Sequence, residues 1–396
     1  MPQPDRHQPH VSARKRQLSS AAALLFADRG YHNVGMDDIA AAVGLTGPAL
    51  YRHFRGKHDI LIQVLIEQLE AVDDVALRAI KASDDPKVRR EQFVSELAEL
   101  LIRRDELILW KREHRQLTGA AQDLLRAKTT PVVQHSIQAL GSTRDGVVSA
   151  DDELRAWTVL VVCYSIHGFH HRINTAELKR LLQGTAEKVL TCPLSIAVAP
   201  AAVCPPTHIR KAAGRRERIL DAAVDLFSVR GYHEVGTDEI AAASGVAIAT
   251  LYQYFASKAD LLEAIFVRGA VGFQFVTRQR LATASTAREA LHVVATTLIE
   301  HVLGPHRPLL AVRAADLIYL NPRAHQSLMI SEDEYIQEWV TSILEIRPEL
   351  SAQSAYVLAR TSIDMVDDLA LNSRISARPT VQSDLLQLVN AVLATA

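Results

Sequence analysis

The sequence predicts an all-α protein made of two similar units in tandem, and three observations support this fold class. Ala and Leu dominate the chain, only 5% of its residues are aromatic, and one segment of the sequence occurs twice. Ala and Leu are strong helix formers, whereas strands favour aromatic and β-branched residues. A chain of 396 residues is also too long for one typical core, so we expect at least two domains.

The repeated segment recurs after 201 positions. LLFADRGYHNVGMDDIAAAVG at 24–44 aligns without a gap to DLFSVRGYHEVGTDEIAAASG at 225–245. The match continues through LYRHF at 50–54 and LYQYF at 251–255. Beyond about residue 65 the identity fades while the helical period continues in both halves. We therefore expect two copies of one helical unit, with a shared task in the first part of each and diverged roles in the rest.

The first two helices of copy 1 have local start and stop signals. The first is predicted at 12–29 and ends at Gly30, because glycine can adopt the left-handed conformation of a C-cap. The second is predicted at 36–43, after Gly35, and carries two acids in its first turn. Acidic side chains at that end of a helix interact favourably with its dipole.

A short third helix follows the turn at 44–46. It is predicted at 47–53, where Pro48 is tolerated because the first turn of a helix needs no donor there. Copy 2 repeats the same series. The later helices of copy 1 are predicted from Lys57 and at 88–102, 105–115, 119–139, 151–171 and 175–190.

The charge of the chain is almost balanced overall but is unevenly distributed. The net charge is −1, so the whole molecule has no bulk attraction for nucleic acid. Residues 1–60 hold eight Lys or Arg and five Asp or Glu, a net of +3, whereas residues 205–260 hold seven of each. We expect a polyanionic partner to be met locally, and unequally by the two regions.

Cysteine usage and the lack of long apolar runs predict a cytoplasmic protein with no membrane contact. Cys163, Cys192 and Cys204 show neither a CxxC spacing nor a Cys/His pattern of zinc ligands. Neither a disulfide framework nor a structural zinc site is expected, and a reducing cytosol is the natural setting. The polar N-terminus does not resemble a secretory signal, and no run approaches the roughly 20 apolar residues that span a bilayer.

The two short helices of each copy, with a glycine in the turn between them, form the pattern of a helix-turn-helix. Apolar residues supply one buried stripe across the pair of helices, and Gly44 and Gly245 occupy the turns. The predicted core residues are Ile39, Val43, Leu45, Leu50 and Phe54 in copy 1, and Ile240, Val246, Leu251 and Phe255 in copy 2.

The second helix of such a motif presents its outer, N-terminal surface to the DNA major groove. In copy 1 the residues on that surface are Thr46, Gly47, Pro48, Ala49, Tyr51, Arg52 and His53. In copy 2 they are Ala247, Ile248, Ala249, Thr250, Tyr252, Gln253 and Tyr254.

Both motifs resemble the DNA-binding domain of the tetracycline-repressor (TetR) family of bacterial regulators. The resemblance rests on the Leu-Tyr-x-x-Phe phrase that ends each helix-turn-helix and on the lysine that opens the next helix, Lys57 or Lys258. It covers about 50 residues per copy, and the rest of the chain resembles the family only in helical layout. It implies that Tyr51, Tyr252 and the two lysines contact backbone phosphates, while the other exposed residues of the reading helices contact bases or nearby phosphates.

Two features next to the motifs bear on this interpretation. The family often has Ser or Thr at the cap of the second helix, whereas both copies have glycine there, Gly35 and Gly236, so only a backbone N–H could contact phosphate. Basic residues also precede each motif, either as a solvated face or as an arm that contacts phosphates or the minor groove. They are Arg14, Lys15, Arg16, Arg210, Lys211, Arg215, Arg216 and Arg218.

The resemblance also predicts how the two copies pair. TetR-like regulators are usually homodimers joined by a four-helix bundle, and this chain already holds two units. We expect an intrachain pseudo-dimer in which helices at 151–171 and 175–190 pack against helices at 351–372 and 380–395. The alternative is that each chain also forms a homodimer with a second chain.

The middle helices are expected to enclose a small-molecule effector, lipophilic or acyl-CoA-like. The predicted ligand-binding residues are Trp110, Arg112, His114, Arg313 and Tyr319, with an arginine holding an anionic head group. The alternative for Arg112 is a solvated or salt-bridged residue. His167 and His171 would share a helical face, but without further ligands they predict bundle packing rather than a metal site.

These observations predict a sequence-specific DNA-binding transcriptional regulator, most simply a ligand-responsive repressor acting on an asymmetric double-stranded operator. The alternative is that only copy 1 binds DNA and that copy 2 is a dimerisation or ligand-binding partner. No catalytic or nucleotide-binding motif is recognisable, and no cofactor, metal or enzymatic activity is expected. The five predicted segments are a helix-turn-helix domain at 1–60, a helical effector and dimerisation domain at 61–192, a proline-rich linker at 193–207, a second helix-turn-helix domain at 208–262 and a second helical domain at 263–396.

Overall fold

The computed structural model describes residues 8–114, 117, 119–141, 148–194 and 212–394, with residues 8–13 through their backbone alone. Over these residues the protein is all-α, as predicted, and contains no strand. Most of the predicted linker at 193–207 lies outside the described residues. No described helix is both long and apolar enough to cross a lipid bilayer.

The two copies contain corresponding helices in the same order. Copy 1 consists of α1 (Gln8–Arg29), α2 (Met36–Ala42), α3 (Gly47–Leu50), α4 (Lys57–Ala82), α5 (Pro86–Arg103), α6 (Ile108–Glu113), α7 (Gly119–Leu140), α8 (Ala150–Tyr164) and α9 (Thr175–Thr191). Copy 2 consists of α10 (Arg215–Arg230), α11 (Thr237–Ser244), α12 (Ile248–Tyr254), α13 (Lys258–Leu281), α14 (Ala287–Leu303), α15 (Arg307–Asp316), α16 (Pro322–Ile346), α17 (Ala352–Leu371), α18 (Ser373–Ser376) and α19 (Val381–Leu393). Head 1 denotes α1 to α3 with the start of α4, and head 2 denotes α10 to α12 with the start of α13.

Two of the helices predicted in the helical domain of copy 1 are shorter than expected. The segment predicted at 105–115 begins as a 3₁₀ turn and becomes α6 only at Ile108. The helix predicted at 151–171 ends at Tyr164 and continues as two separate 3₁₀ turns. Since a 3₁₀ turn has three residues per turn, His167 and His171 do not share an α-helical face. Burial lowers the pKa of His167 to about 4, so its ring is neutral.

The buried apolar residues form two clusters of unequal size. The larger cluster joins head 1 to the helical domains of both copies. The smaller cluster is the core of head 2, to which α15 contributes the fully buried Val312. Head 2 therefore has a core of its own, and α15 is one of the elements that connects it to the rest of the molecule.

The copies pack against one another through the helices predicted for a bundle. α8 packs on α17 and α9 packs on α19 within the same chain. Polar contacts accompany the packing: the hydroxyls of Ser165 and Thr361 are 3.1 Å apart, and Arg378 Nη2 lies 2.6 Å from the Asp151 carboxylate. That this intrachain pairing is the DNA-binding unit stays a prediction.

Candidate nucleic-acid interface and effector cavity

The frame of each head is a tight turn between two helices. Gly44 and Gly245 take up φ angles of 68° and 67°, in the left-handed region that glycine adopts without a steric penalty. The residue after each glycine then donates its N–H back to the preceding helix, at 2.8 Å from Leu45 and 3.0 Å from Val246. The turn therefore sets the angle at which the reading helix leaves the head.

The predicted apolar stripe lies in the core of each head. Ile39, Leu50 and Phe54 are at most 2% exposed, and their counterparts Ile240, Leu251 and Phe255 are at most 4% exposed, whereas Val43, Leu45 and Val246 are half-buried. Buried side chains of this size each stabilise the fold by roughly 1.5–3 kcal/mol.

The two reading helices differ in length. α12 spans seven residues, as predicted, but α3 spans only Gly47–Leu50 and continues as a turn through Tyr51, Arg52 and His53. The helix predicted at 47–53 is therefore shorter than expected. Arg52 and His53 thus lie in a turn, whereas their counterparts Gln253 and Tyr254 lie in a regular helix.

None of the sixteen predicted DNA-binding residues is buried. Tyr51 is 56% exposed and Tyr252 is 48% exposed, so both rings are accessible to a binding partner. The Tyr252 hydroxyl lies 3.0 Å from the Thr237 hydroxyl, which orients it, whereas Met36 stands at the position of Thr237 in copy 1. Both tyrosines are thus exposed, and the hydroxyl of Tyr252 is in addition oriented by Thr237.

The lysines that begin α4 and α13 close the loop in front of each second helix. Lys57 Nζ donates to the carbonyl oxygen of Tyr31 at 2.9 Å, and Lys258 Nζ donates to those of Tyr232 at 2.9 Å and Val235 at 3.0 Å. Partial burial lowers the pKa of both lysines. Each therefore has a structural role in its head, and its contact with phosphate stays a prediction.

Those basic residues before each motif that the structure describes belong to α1 and α10 rather than to an extended arm. Lys15 on α1 lies over the Phe54 ring, 5.1 Å from its centroid, and Arg216 on α10 lies over the Phe255 ring at 5.5 Å. These two cations are 201 positions apart, so the contact is the same in both copies. Arg210 and Lys211 lie outside the described residues.

Each head packs on one of two equivalent helices of the helical domains: head 1 packs on α6 and head 2 packs on α15. Arg112 on α6 donates from Nη2 to the Phe26 carbonyl at 2.7 Å and from Nη1 to the Ala27 carbonyl at 3.0 Å, at the C-terminus of α1. In copy 2, Asp316 at the end of α15 accepts a hydrogen bond of 3.2 Å from the Tyr232 N–H. Polar contacts from the helical domains thus fix the C-terminal ends of α1 in head 1 and α10 in head 2.

Each of these contacts involves a buried carboxylate, which is next to Arg112 in copy 1 and is itself the acceptor in copy 2. Glu113 is fully buried 3.8 Å from Arg112 Nη2, and Asp316 is 1% exposed. Burial raises the pKa of each carboxyl group to about 7, even though a neighbouring cation, Arg112 or Lys258, opposes the change.

A cavity of about 600 Å³ lies in the helical domain of copy 1. Its apolar walls include Leu69, Val72, Leu125, Val132, Trp157 and Leu160. The charged and titratable side chains that line it include Lys111, His114, Arg126, Glu153, Asp368 and Arg374. A volume of this size, with mainly apolar walls and few polar groups, is typical of a small-molecule site.

The five predicted ligand-binding residues do not all lie at this cavity. Trp110 and His114 line it, with their rings stacked at a centroid distance of 4.7 Å. Arg112 does not line it, because its guanidinium holds the end of α1. Arg313 is committed to ion pairs with Glu332 and Asp367.

Tyr319 is also placed away from the cavity, between the heads. Its ring lies 4.3 Å from the His233 ring, in edge-to-face geometry.

Because the Arg112 guanidinium holds the end of α1, the interpretation of Arg112 as the anchor of an effector anion is corrected. The arginines at the cavity are Arg126 and Arg374, which the sequence did not reveal because nothing in the local pattern distinguishes them from solvated surface residues.

The cations at the cavity differ in how far they are neutralised. Lys111 Nζ lies 3.0 Å from Asp368, and Arg374 lies 3.4 Å from Glu153. Arg126 has no ion pair with any residue that the structure describes. The described part of the chain also holds no cluster of three or more residues suited to a metal ion.

Comparison with protein families gives one match in each copy. The model of the N-terminal domain of bacterial regulatory proteins of the tetR family matches residues 18–64 and again residues 219–265. These ranges contain both helix-turn-helix motifs and both lysines.

Three curated relatives are transcriptional regulators. The HTH-type transcriptional activator FasR of Mycolicibacterium smegmatis is 37% identical over 76 residues, which are 19% of this chain and 35% of FasR. The fatty acid metabolism regulator protein of Bacillus subtilis is 35% identical over 91 residues, 22% of this chain and 46% of that protein. The regulator HbdR of an Aromatoleum species is 26% identical over 165 residues, 41% and 69% of the two chains. The chain thus spans less than half the length of the first two.

Two solved structures of transcriptional regulators align with less than half of this chain. A TetR-family transcriptional regulator from Bordetella parapertussis is 21% identical and covers 45% of this chain and 95% of its own, with a TM-score of 0.41. The regulator FadR from Bacillus subtilis, solved with stearoyl-CoA, is 26% identical and covers 44% and 94%, with a TM-score of 0.38.

Proposed function

Since the chain belongs to the TetR family of bacterial regulators and carries two of the family's N-terminal domains in tandem, we propose that it is a ligand-responsive repressor whose two heads grip one operator. The two copies act as an intrachain pseudo-dimer, and the operator has two unlike half-sites. The observation that carries this proposal is the presence, on one chain whose bundle helices are packed together, of two exposed reading helices with different side chains.

The packing of the copies supports one functional unit per chain. In a two-fold dimer, residues on the axis contact their own counterparts. His32 and His233, which are 201 positions apart, stack with ring centroids 4.4 Å apart. The contact of α6 with α15 and of α8 with α17 likewise joins helices that correspond between the copies.

The reading surfaces support an asymmetric operator. A homodimer matches a palindrome because two identical surfaces contact two identical half-sites. Here the exposed residues differ at nearly every position, with Arg52 and His53 on one head and Gln253 and Tyr254 on the other. Selection of bound duplexes from a random pool tests this: we expect two unlike half-sites, and a perfect palindrome would contradict the intrachain arrangement.

A regulator with one active head is the second candidate, because the region of head 2 has no net charge and its reading surface presents Ile248 and alanines. The discriminating variant is Tyr252→Ala with Gln253→Ala, since both side chains are exposed and Lys258 is needed by the head itself. The matched control is Tyr51→Ala with Arg52→Ala. If both heads bind, each double variant weakens operator binding; if head 2 is silent, only the control does.

The effector that the cavity fits best is an amphiphile with a long apolar tail and an anionic head. The tail would lie against the apolar walls, and the anion would meet Arg126 and Arg374. The Bacillus subtilis relative, whose name describes a regulator of fatty acid metabolism, supports the same class of ligand. We propose that binding of such a ligand releases the operator.

cis-Parinaric acid, a fluorescent fatty acid, tests the site because Trp110 and Trp157 line the cavity and can transfer excitation to it. We expect binding with energy transfer, and a loss of affinity in Arg126→Gln. Arg103→Gln, a variant of an exposed arginine on α5, is the matched control. Equal affinities of the two variants would contradict the proposed orientation of the anion.

A further inference from the structure

The interior of copy 2 is filled at the place where copy 1 is hollow. Phe273 on α13, Tyr335 on α16 and Trp339 on α16 form a continuous aromatic group, with centroid distances of 5.1 Å between the first two and 6.4 Å between the last two. Trp339 is fully buried and Tyr335 is 8% exposed. These large side chains occupy space between the helices that correspond to the walls of the cavity in copy 1.

The counterparts of these aromatic residues in copy 1 are small. Phe273 corresponds to Val72 at the offset of 201 that relates the heads. In α7 and α16 the buried positions correspond at an offset of 203, from 132 and 136 to 335 and 339. Val132 therefore stands at the place of Tyr335, and Ser136 at the place of Trp339. Val72 and Val132 line the cavity directly.

The cavity of copy 1 is bounded in part by copy 2. Six of its lining residues lie between the end of α17 and the start of α18, both ends included, among them Asp368, Leu369 and Arg374. A ligand there touches both halves of the chain at once. The site is thus complete only when the two copies are packed together.

Head 1 is connected to the cavity through α6. Trp110 on α6 and His114, the residue that follows α6, line the cavity, and Arg112 on α6 donates hydrogen bonds to the carbonyls of Phe26 and Ala27. Since α6 has only six residues, a displacement of Trp110 by a ligand also displaces Arg112 and its hydrogen bonds to head 1.

Head 2 is connected to the same cavity by a chain of partly buried ion pairs. Lys111, which lines the cavity, lies 3.0 Å from Asp368 and 3.6 Å from Asp364 on α17. Arg360 binds Asp364 through two nitrogens, at 3.0 Å and 3.1 Å, and also pairs with Glu332 on α16.

The chain of ion pairs ends on the helix that supports head 2. Glu332 lies 2.6 Å from Arg313 on α15, and Arg313 lies 3.4 Å from Asp367 on α17. α15 then places Val312 in the core of head 2 and Asp316 on the Tyr232 N–H. A contiguous set of packed and paired side chains therefore joins the cavity to head 2, which is the kind of network that can carry coupling between sites.

We propose that the chain has one effector site for its two heads: the cavity of copy 1, closed by copy 2, takes a single anionic amphiphile and acts on head 1 through Arg112 and on head 2 through the ion pairs from Lys111 to Arg313. Copy 2 supplies a wall and a head but no ligand site of its own. This rests on the proposed effector function, and it deepens it by fixing the number of ligands and the route to each head.

One ligand per pair of heads has a measurable consequence. The Hill coefficient of a ligand cannot exceed the number of its sites. Effector-driven release of the operator by this chain is therefore hyperbolic, with a Hill coefficient of one, although two heads are released together.

The number of sites is tested on the full chain with cis-parinaric acid and with stearoyl-CoA as probes. We expect one molecule of probe per chain in native mass spectrometry and in fluorescence titration. Val132→Tyr, which places the copy 2 residue in the cavity, is expected to weaken binding at least about tenfold, equivalent to 1.4 kcal/mol. Val72→Phe provides a second filling variant, and Leu124→Tyr on the exposed face of α7 is the matched control.

The route to head 2 is tested by hydrogen exchange in the absence of DNA, so that its failure is distinct from a failure of operator binding. Probe binding is expected to change amide exchange in residues 26–34 of head 1 and in 227–235 of head 2. Glu332→Gln, which keeps the shape of the side chain, is expected to abolish the change in head 2 and to leave that in head 1. Arg280→Gln, which breaks an exposed pair between α13 and α14, is the control.

Three outcomes would overturn the proposal. Two probe molecules per chain would show a second site in copy 2, and no binding of either probe would remove the amphiphile as the ligand class. A response of head 2 that survives in Glu332→Gln, at unchanged probe affinity, would remove the ion pairs as the route.

Discussion

His32 and His233 stack on one another with ring centroids 4.4 Å apart and planes inclined by 23°. They occupy the same position in the two copies, and each lies in the loop between the first and second helix of its head. The two heads are therefore in direct contact, and the contact is made by residues that would meet on the two-fold axis of a homodimer.

The His233 imidazole is expected to titrate well below its ordinary pKa. Burial is the main cause, with His32, Lys258 and Lys57 adding repulsion, and together they lower its pKa to about 4. The neutral ring is favoured in the fold, so its contribution to stability is present above about 6.5 and is lost as the pH falls through about 4. NMR titration of His233 should show this, and His32→Ala should raise the value. An ordinary value in the unmodified protein would contradict the stacked arrangement.

Gly30 and Gly44 allow a test of the approach of the heads. Both have positive φ angles, of 82° and 68°, and alanine costs about 1 kcal/mol at Gly44. The ψ angle of Gly30 is 144°, in a region that residues other than glycine rarely adopt, so the backbone strain of an alanine there is about 1–3 kcal/mol. A Cβ on Gly30 would also lie 2.9 Å from Tyr319 Cε1 of copy 2, whereas nothing lies within 4 Å of one on Gly44. Gly30→Ala should therefore destabilise the protein more than Gly44→Ala does in chemical denaturation. Equal costs would mean that Tyr319 is not held against head 1.

Arg112 is expected to stabilise the seat of head 1. Arg112→Ala removes two hydrogen bonds from a charged donor to the end of α1, each worth about 1.5–3 kcal/mol. We expect a loss of about 2–4 kcal/mol in unfolding free energy, with faster amide exchange at 26–30. Arg112→Lys should recover only part of it, because an ammonium cannot reach both carbonyls in the fork geometry of arginine. A loss no larger than that of Arg103→Ala, an exposed arginine, would refute the role.

Glu113 should make the stability of the protein depend on pH. Its pKa is about 7 in the fold against an ordinary 4.5, so the protonated carboxyl is favoured when buried. That contribution is fully present below about 4.5 and is lost as the pH rises through about 7. Each unit of pKa shift corresponds to about 1.4 kcal/mol, so the contribution of Glu113 to the free energy of unfolding differs by on the order of 3 kcal/mol between low and high pH.

The variant Glu113→Gln isolates this effect because it keeps the side chain neutral at every pH. Urea denaturation should show it near the stability of the unmodified protein at pH 5 and above it at pH 8. Glu70→Gln on the exposed face of α4 is the control. A pH profile of Glu113→Gln parallel to that of the unmodified protein would show that another group is responsible.

The heads could be predicted from sequence because their structure is set locally. The positions of Gly44 and Leu50, and the equivalent positions 201 residues later, fix a turn and a buried stripe by short-range geometry. Three of the four bundle helices, α9, α17 and α19, were also predictable within a few residues, since each carries a regular apolar face. The end of the eighth helix at Tyr164 was not, because the apolar pattern continues through the 3₁₀ turns that come after it.

The contacts that join the heads to the helical domains could not be read from the sequence. Arg112 looks like a ligand anchor in the sequence, but its partners are backbone carbonyls of residues 85 and 86 positions away, which no side-chain pattern marks. The filled interior of copy 2 was hidden for another reason. At the fixed offset of 201, Tyr335 aligns with Gln134, and only the buried positions of α7 and α16 show that its counterpart is Val132.

The proposed DNA clamp requires that one chain supply both of its halves. The most direct test is the mass of the complex between the protein and the duplex obtained by selection, measured by native mass spectrometry with a footprint of the same complex. We predict one chain per duplex with both half-sites protected. Two chains per duplex, each protecting a half-site with the same head, would rule out the intrachain clamp.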